Sequence, residues 1–517
     1  MPYSTQAGKA WIERLAKRLI KKCQDNSILD VGAGSGTYSD LLRSKLPGTE
    51  FTALEVREPY LSEFHLENKY NTLLPIDVRQ FTPDTTYGIT LLGNVLEYMN
   101  KEEAVEVYRK LVAASHFVIL SIPLIQYPQD PSHDNPDEKQ QQNDWSHKEI
   151  LATFDNLVLH RQENELGVYI GVNPQLHSLQ EVIEANKPSI AVYGIYQDEE
   201  EVIERFLNSV QTADEIVLCD TGSTDHTNQI INQFKKDHPH VNLKVCSICV
   251  SPWRFDDARN TALALVNPDI DICLSLDMTE YLLEDWQEHL IDQWEFGYTK
   301  YSHRYKTILP GGDDLEDWHQ QIHTRTGYTW KLPIHEILEY NKQEKVKKLP
   351  DFWVYQKPVH DKVHVNKLPL LEQSVKERKD VWQSWSSLAS EYLLIDKPEA
   401  ALQALDIALT LNNSDKAYLY QQKYLVYKAQ DQTDVALLNL NNAIIHKPDR
   451  RELYFEKALY LHQLGRNIEA YFTCQECKKL TNKVTDYHYN PAAWNQEFDQ
   501  WSTKLLELAK KEGIHFE

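Results

Sequence analysis

At 517 residues, of which 42% are hydrophobic and 25% charged, the chain is too long for one hydrophobic core, and at roughly 150 residues per domain it predicts about three units. No run of eighteen apolar residues occurs, which excludes a membrane-spanning helix. A net charge of −23, from 54 Lys and Arg against 77 Asp and Glu, opposes loose association with anionic membranes or phosphate backbones and disfavours nucleic acid as a partner.

The first residues, MPYSTQAGKAWIERLAKRLIKK, are basic but hold no apolar h-region and no small-residue cleavage site, so they do not read as a secretory signal. Seven cysteines, an odd number, make no disulfide framework and point to a reducing, cytoplasmic compartment. Two pairs have C-x-x-C spacing, Cys246 with Cys249 in a strand-like run and Cys474 with Cys477 in a helical one. Neither context supplies four tetrahedral ligands, so buried, inert thiols are expected at both.

From Ser27 to about Leu159 short apolar runs alternate with amphipathic segments: SILDVG, TYSDLLRSKL, FTALEV, GITLLGNV, AVEVYRKLV and HFVILSIPL. Strands alternating with helices predict a parallel, doubly wound sheet. The polar stretch QYPQDPSHDNPDEKQQQND breaks that rhythm and is expected to be a loop, or a lid over a site. After a boundary near NPQLHSLQEVIEANKPS, the alternation restarts with SIAVYGIY, EEVIERFLNSV, EIVLCD, HTNQIINQF and DICLSLD, a second α/β domain. Beyond about Leu370 helices follow one another. Ala401, Ala436 and Ala470 recur there at intervals of 35 and 34 residues, preceded at twelve residues by Ala389, Tyr424 and Ala458, and Pro448 follows Ala436 by twelve. This period and its small side chains resemble tetratricopeptide repeats over residues 385–482, with Asn413 and Asn482 at the proline position of the first and third repeats. The expected domains are 1–178, 188–371 and 372–517.

The segment SILDVGAGSGTYSDLL carries Asp30 at a strand end and turns through Gly32, Gly34 and Gly36 into a helix, where the missing Cβ atoms let backbone approach a ligand. Glu55 near the end of FTALEV suits the two hydroxyls of a ribose, and Asp77 in PIDV an adenine amino group. With G-x-G-x-G spacing, these carboxylates and the later GNVLEYM, residues 27–160 resemble the class I S-adenosylmethionine-dependent methyltransferases. The resemblance implies a Rossmann-like domain in which Asp30 and the glycines border the methionine part of the cofactor. It places Glu55 at the ribose, Asp77 at the adenine and Asn94 in the sheet-end pocket. Methyl transfer from a sulfonium depends chiefly on placing donor and acceptor in contact, so no obligatory base motif exists. His133, Trp145 and His147 lie in or beside the expected lid, and either histidine is a candidate proton acceptor as well as an ordinary loop residue.

The strand EIVLCD leads into DTGSTDHT, Asp220 to Thr227, where a carboxylate, a glycine turn and hydroxyls suit a nucleotide base and ribose. WRFDDARNTAL follows, then DICLSLD with Met278, Thr279 and Glu280 after it. In this order the blocks resemble family 2 glycosyltransferases of the GT-A fold from about Ser189 to Leu371, especially the branch followed by tetratricopeptide repeats. The resemblance implies a nucleotide-sugar donor, with Asp220, Gly222, Ser223 and Asp225 around the nucleoside, Arg259 and Asn260 beside the donor, and Asp277 near the diphosphate. It also implies a divalent cation, manganese or magnesium, held by Asp277, Glu280 and His364. The second carboxylate of the family's Asp-x-Asp-Glu is here Thr279, a poorer cation ligand, and Tyr196 and Gln197 stand where Lys and Asn are frequent.

Inversion at the sugar needs a base. Glu336, beside His335 in YTWKLPIHEIL, is the first candidate; Asp313 and Asp314 read more simply as a hairpin turn, and Asp256 and Asp257 as helix-capping residues. The expected architecture is α/β, two doubly wound domains, a Rossmann-like methyltransferase and a GT-A glycosyltransferase, followed by an all-α repeat tail. The leading function is transfer of a sugar to a glycan, protein or peptide acceptor together with methylation of that sugar or acceptor. Two alternatives stay open: a scaffold with a degenerate donor site whose repeats hold a protein partner, and a nucleic-acid-modifying glycosyltransferase.

Overall fold

The structure is a computed structural model in which residues 5–124, 145–309, 314–358, 367–483 and 489–513 are described. Two compact units make up the chain, Met1–Lys187 and Pro188–Glu517. The stretch 126–144, expected as a lid, lies with His133 outside the described residues, as do Asp313 and His364.

In the first unit β1 (Ser27–Val31), β2 (Glu50–Leu54), β3 (Thr72–Leu74), β4 (Tyr87–Gly93) and β5 (Ser115–Pro123) are parallel. Two further strands, β6 (Leu157–Glu163) and β7 (Leu166–Val172), complete the order β3-β2-β1-β4-β5-β7-β6. The β6–β7 pair departs from the parallel sheet that the sequence rhythm predicts. Its connection is Asn164 and Glu165 alone, with Asn164 at φ 56°, and so short a link joins only antiparallel strands. Every residue of β5 is buried, as is nearly all of β4, as central strands covered on both faces require. Strand order reverses between β1 and β4, which opens a crevice at their carboxyl ends.

In the second unit β8 (Ile190–Tyr196), β9 (Glu215–Asp220), β10 (Leu243–Ser247) and β11 (Ile272–Ser275) form the predicted parallel half. The other half of the sheet is mixed: β12 (Glu280–Tyr281), β13 (Lys300–Thr307), β14 (Leu315–Thr324) and, after a separate hairpin of β15 (Tyr328–Lys331) and β16 (Ile337–Tyr340), β17 (Val346–Gln356). The order is β10-β9-β8-β11-β14-β13-β17-β12. Consecutive β13 and β14 pair antiparallel, and of the Gly-Gly-Asp-Asp run between them only Asp314 lies within the described residues.

An all-helical tail follows, from Leu368–Glu377 to Gln496–Lys511. Its helix pairs are Trp382–Leu394 with Pro398–Thr410, Lys416–Ala429 with Thr433–His446, and Arg451–Gln463 with Asn467–Lys479. The six periodic positions, Ala389, Tyr424, Ala458, Ala401, Ala436 and Ala470, are each at most 1% exposed. Small side chains at these points let paired helices approach. Among the described residues no helix is long and apolar enough to cross a membrane.

The cysteine expectation divides. Cys474 and Cys477 are buried in the tail, whereas Cys246, on the edge strand β10, and Cys249, two residues past its end, are exposed. Ala458→Leu should overpack the last helix pair and cost about 1–3 kcal/mol, read as a lower midpoint in urea denaturation of the full chain. An unchanged midpoint would mean that the position tolerates bulk.

Candidate functional site

In the first unit β1 delivers Asp30 to the crevice and the chain then turns through Gly32, Gly34 and Gly36, all with positive φ. A Cβ on Gly32 would meet the Val95 side chain at 2.7 Å, so the turn admits no larger residue without displacement. Glu55 folds over this turn: one carboxylate oxygen accepts the Gly34 N–H at 2.8 Å and the other the Arg57 N–H at 2.9 Å. Asn94, at φ 59° just past β4, accepts the Ser121 hydroxyl at 3.0 Å. Asp77 is clasped by Arg79, whose nearest guanidinium nitrogen is 2.6 Å away, and these bonds hold its carboxyl below the usual range.

Asp30 is 1% exposed; one oxygen accepts the Tyr70 hydroxyl at 2.5 Å and the other has no hydrogen-bond partner among the described residues. Burial pushes its carboxyl up to about 7 against the pull of the Tyr70 bond and of Lys9. The Lys9 amine is itself buried, 3.5 Å above the Tyr38 ring, and burial lowers it to about 8. Glu97 is buried too, with one oxygen unpartnered, and is pushed up to about 8. Sequence reasoning passed over Lys9 and Glu97. Lys9 had one signal: it shares the helical stripe of Ile12, Ala16 and Leu19, an apolar face on which a lysine is out of place. Trp145 packs in the core, and His147 bonds the Tyr169 hydroxyl at 2.8 Å.

In the second unit Asp220 ends β9 and organises the turn after it. One oxygen accepts the N–H groups of Gly222 and Ser223, at 3.1 and 2.8 Å, and the other the Asn228 amide at 2.9 Å. Burial works against its charge, but these bonds prevail and hold its carboxyl below the usual range. Asp225 accepts from the Thr227 and Glu200 N–H groups, and Asp198, at φ 51°, from those of Thr224 and Asp225. The loops after β8 and β9 are thereby braced on each other.

Arg259 joins two of the other expected residues, Glu336 and Asp277. From the helix Phe255–Leu265 it reaches Glu336 at 2.7 Å, Asp277 at 2.7 Å and the Ser275 hydroxyl at 3.2 Å, and its guanidinium lies 5.2 Å from the Trp330 ring centroid. Burial opposes its charge, yet the two carboxylates raise its pKa above the ordinary arginine value. Asp277 is about half exposed and Glu336 nearly enclosed. Asn260 is turned away onto strand β15, donating to the Trp330 carbonyl and accepting its N–H at 2.9 and 2.8 Å. His335 is exposed at φ 53°.

Glu280, expected to hold a cation, is 3% exposed instead. Its oxygens accept the Tyr305 hydroxyl at 2.7 Å, the Gln321 amide at 3.0 and 3.1 Å, and the Asp277 N–H at 2.7 Å. Burial and the Asp277 charge push it up to about 7. The cause is β12, whose pairing with β17 turns Glu280 inward. Among the other base candidates, Asp256 is buried against Arg254, which also grips Glu377 at 2.6 Å, and it accepts the Asp257 N–H at 3.0 Å in the first turn of its helix, so it anchors a salt bridge as well as capping. Asp314 closes its hairpin by accepting the Leu309 N–H at 3.2 Å.

Residues 176–363 match the family model for glycosyl transferase family 2, which supports glycosyl transfer for that stretch. No curated protein matches the chain. Among solved structures, the N-terminal domain of EvdMO1 with SAH bound is 17% identical, with 32% of this chain and 82% of that one covered at a TM-score of 0.25. An S-adenosylmethionine-dependent methyltransferase from Clostridium acetobutylicum ATCC 824 is 13% identical, covering 31% and 91%, TM-score 0.24. MamA is 16% identical, covering 29% and 90%, TM-score 0.21. Overlaps at these TM-scores assign nothing to this chain.

The folded chain keeps the Asp30 proton to about pH 7, whereas the ordinary value is 3.8, so between these limits the folded state binds more protons and loses stability as pH rises. Asp30→Asn should therefore reduce the fall in stability of the ligand-free protein between pH 5 and 7, by up to about 1.4 kcal/mol per pH unit. Urea titrations at each pH read this; parallel curves for the two proteins would place the Asp30 carboxyl in a solvated setting.

Proposed function

We propose that the chain is a two-site transferase: residues 188–371 move a sugar from a nucleotide-sugar donor to an acceptor, and residues 1–178 methylate that sugar or acceptor with S-adenosylmethionine. The observation that carries the glycosyl-transfer reading is the family match over 176–363 together with the Arg259, Asp277 and Glu336 cluster at the strand ends. In this reading Asp220, Gly222, Ser223 and Asp225 surround the nucleoside, and Arg259, with Asn260 fixing the strand beneath it, faces the donor diphosphate. The acceptor oxygen forms its bond to the anomeric carbon as its proton passes to Glu336, and the bond to the diphosphate breaks with its electrons leaving on the nucleoside diphosphate. His335 stands beside that base at the acceptor side.

The described residues fit a divalent cation poorly. Asp277 is a single carboxylate already paired with Arg259, and Glu280 is saturated, so no step is routed through manganese or magnesium and the charge facing the diphosphate is Arg259.

For the first unit the fit is better, since Asp30 keeps an unpartnered buried oxygen and the glycine turn excludes side chains. Bound S-adenosylmethionine supplies a methyl group on a sulfonium. Asp30 and Lys9 hold the amino and carboxylate groups of its methionine, Glu55 exchanges the Gly34 N–H for ribose hydroxyls, Asp77 takes the adenine side and Asn94 borders the sheet-end pocket. The helical repeats select a glycan, protein or peptide acceptor. A second reading, a scaffold with a degenerate donor site, is favoured by the saturation of Glu280.

Titration of the full chain with S-adenosylmethionine and with uridine, guanosine and thymidine diphosphate sugars, with and without manganese, separates these readings. Binding of one donor of each kind supports the transferase, and failure of every donor leaves the scaffold. Gly34→Val, at φ 53°, should abolish S-adenosylmethionine binding and spare the sugar donor, with Asp277→Ala doing the reverse. Loss of both in either folded variant would sink the two-site picture. Glu336→Gln should lower sugar transfer by about 10²–10⁴-fold with donor affinity retained, and an unchanged rate would move the base elsewhere.

A further inference from the structure

At the opposite edge of the first sheet, where the strands begin, Cys23, His116 and His177 bring their ligand atoms within 4.8 Å of one another. They come from three distant segments: the turn after the first helix, the second residue of β5, and the loop after β7. His116 Nδ1 and His177 Nε2 face each other at 2.7 Å. Each ring has its other nitrogen on a carboxylate, His116 Nε2 3.2 Å from Asp25 and His177 Nδ1 3.2 Å from Glu181.

The proton inventory makes this arrangement informative. A neutral imidazole has one N–H and one lone pair. If both rings donate to their carboxylates, two lone pairs point at each other across 2.7 Å, and a positive species must stand between them. That species is a shared proton or a metal ion, and a thiol at the third corner favours the metal. A carboxylate behind each histidine is the outer shell that zinc-binding histidines use.

We infer that Cys23 Sγ, His116 Nδ1 and His177 Nε2 form a zinc site, with Asp25 and Glu181 orienting the two rings. Zinc bonds of about 2.0–2.1 Å to nitrogen and about 2.3 Å to sulfur set tetrahedral ligand atoms roughly 3.3–3.6 Å apart. The two nitrogens separate by about 0.6 Å to reach that spacing, and the thiol turns from its present acceptors, the Leu19 and Gly88 carbonyls at 3.4 and 3.5 Å. Binding replaces the thiol proton, which leaves to solvent, and a water fills the fourth position. The backbone is already set for it: the Asn173 N–H bonds the His116 carbonyl at 3.1 Å, the His177 N–H bonds the Asn173 carbonyl at 3.0 Å, and Glu181 is held by the Ser178 N–H at 2.7 Å. No residue of the two proposed transfer sites takes part, so the ion acts as a staple on three chain segments, independently of the transferase reading.

The full chain, stripped with a chelator and titrated with zinc chloride, should retain one zinc per molecule after desalting and melt at higher temperature. Cobalt chloride in its place should give a thiolate charge-transfer band that Cys23→Ser removes and Cys246→Ser leaves. Glu181→Gln, which keeps the helix cap, should lower zinc affinity about 10–100-fold, and His177→Gln further, with circular dichroism reporting that each variant is folded. If the folded wild-type chain retains no more zinc than His177→Gln, or if cobalt produces no band, the inference is overturned and the two rings share a proton.

Discussion

A parallel sheet covered on both faces has no place for polar side chains along its strands, so its chemistry collects where the strands start and stop. The first sheet and the parallel half of the second obey this constraint. Asp30 lies one residue from the end of β1, Asn94 one residue past β4, Asp220 at the last position of β9 and Asp277 two residues past β11. The histidine cluster follows the same rule at the other edge, where His116 is the second residue of β5. In the first sheet the largely apolar strand interiors ITLL and FVILSI thus do more than fill a core, for they leave its ionisable groups to two rims.

At the rims the buried charges are organised differently. Arg259 is enclosed but placed between two carboxylates, so its desolvation is compensated and the trio resists separation. Asp30 has one hydrogen bond, an unpartnered oxygen and a lysine nearby that is itself desolvated. Such a group, raised to about 7, is poised to gain or lose its proton in response to whatever enters the crevice. The loops around Asp220 are the most satisfied of all, with Asp198, Asp220 and Asp225 each accepting from backbone N–H groups of the other or of their own turn. Their carboxylates serve first as scaffolding of the loop.

The helical tail reaches the second site through its first helices. Ile334, next to His335, packs with Leu371, Val375 and Leu388, and Arg254 and Arg378 pair with Glu377 and Glu339 across the same junction. The strap that carries Glu336 is therefore held from the helical side as well as by Arg259. A repeat period in the sequence predicts stacked helices, as the buried Ala401, Ala436 and Ala470 bear out, but it is silent on what those helices grip.

By itself the sequence determined the α/β alternation, the glycine turns at Gly32 and Gly222, and the helical repeat, because each is a local pattern in which neighbours in sequence are neighbours in space. Partnership across distance was decided only by the tertiary structure. Glu280 is a carboxylate three residues from Asp277, yet its pairing strand turns it onto Tyr305 and Gln321. Lys9 approaches Asp30 of β1 from the first helix, and Cys23 and His177 meet His116 across 93 and 61 residues. Whether a charged or ligating side chain faces water, a partner or a crevice depends on strand register and helix packing, which no stretch of sequence carries alone.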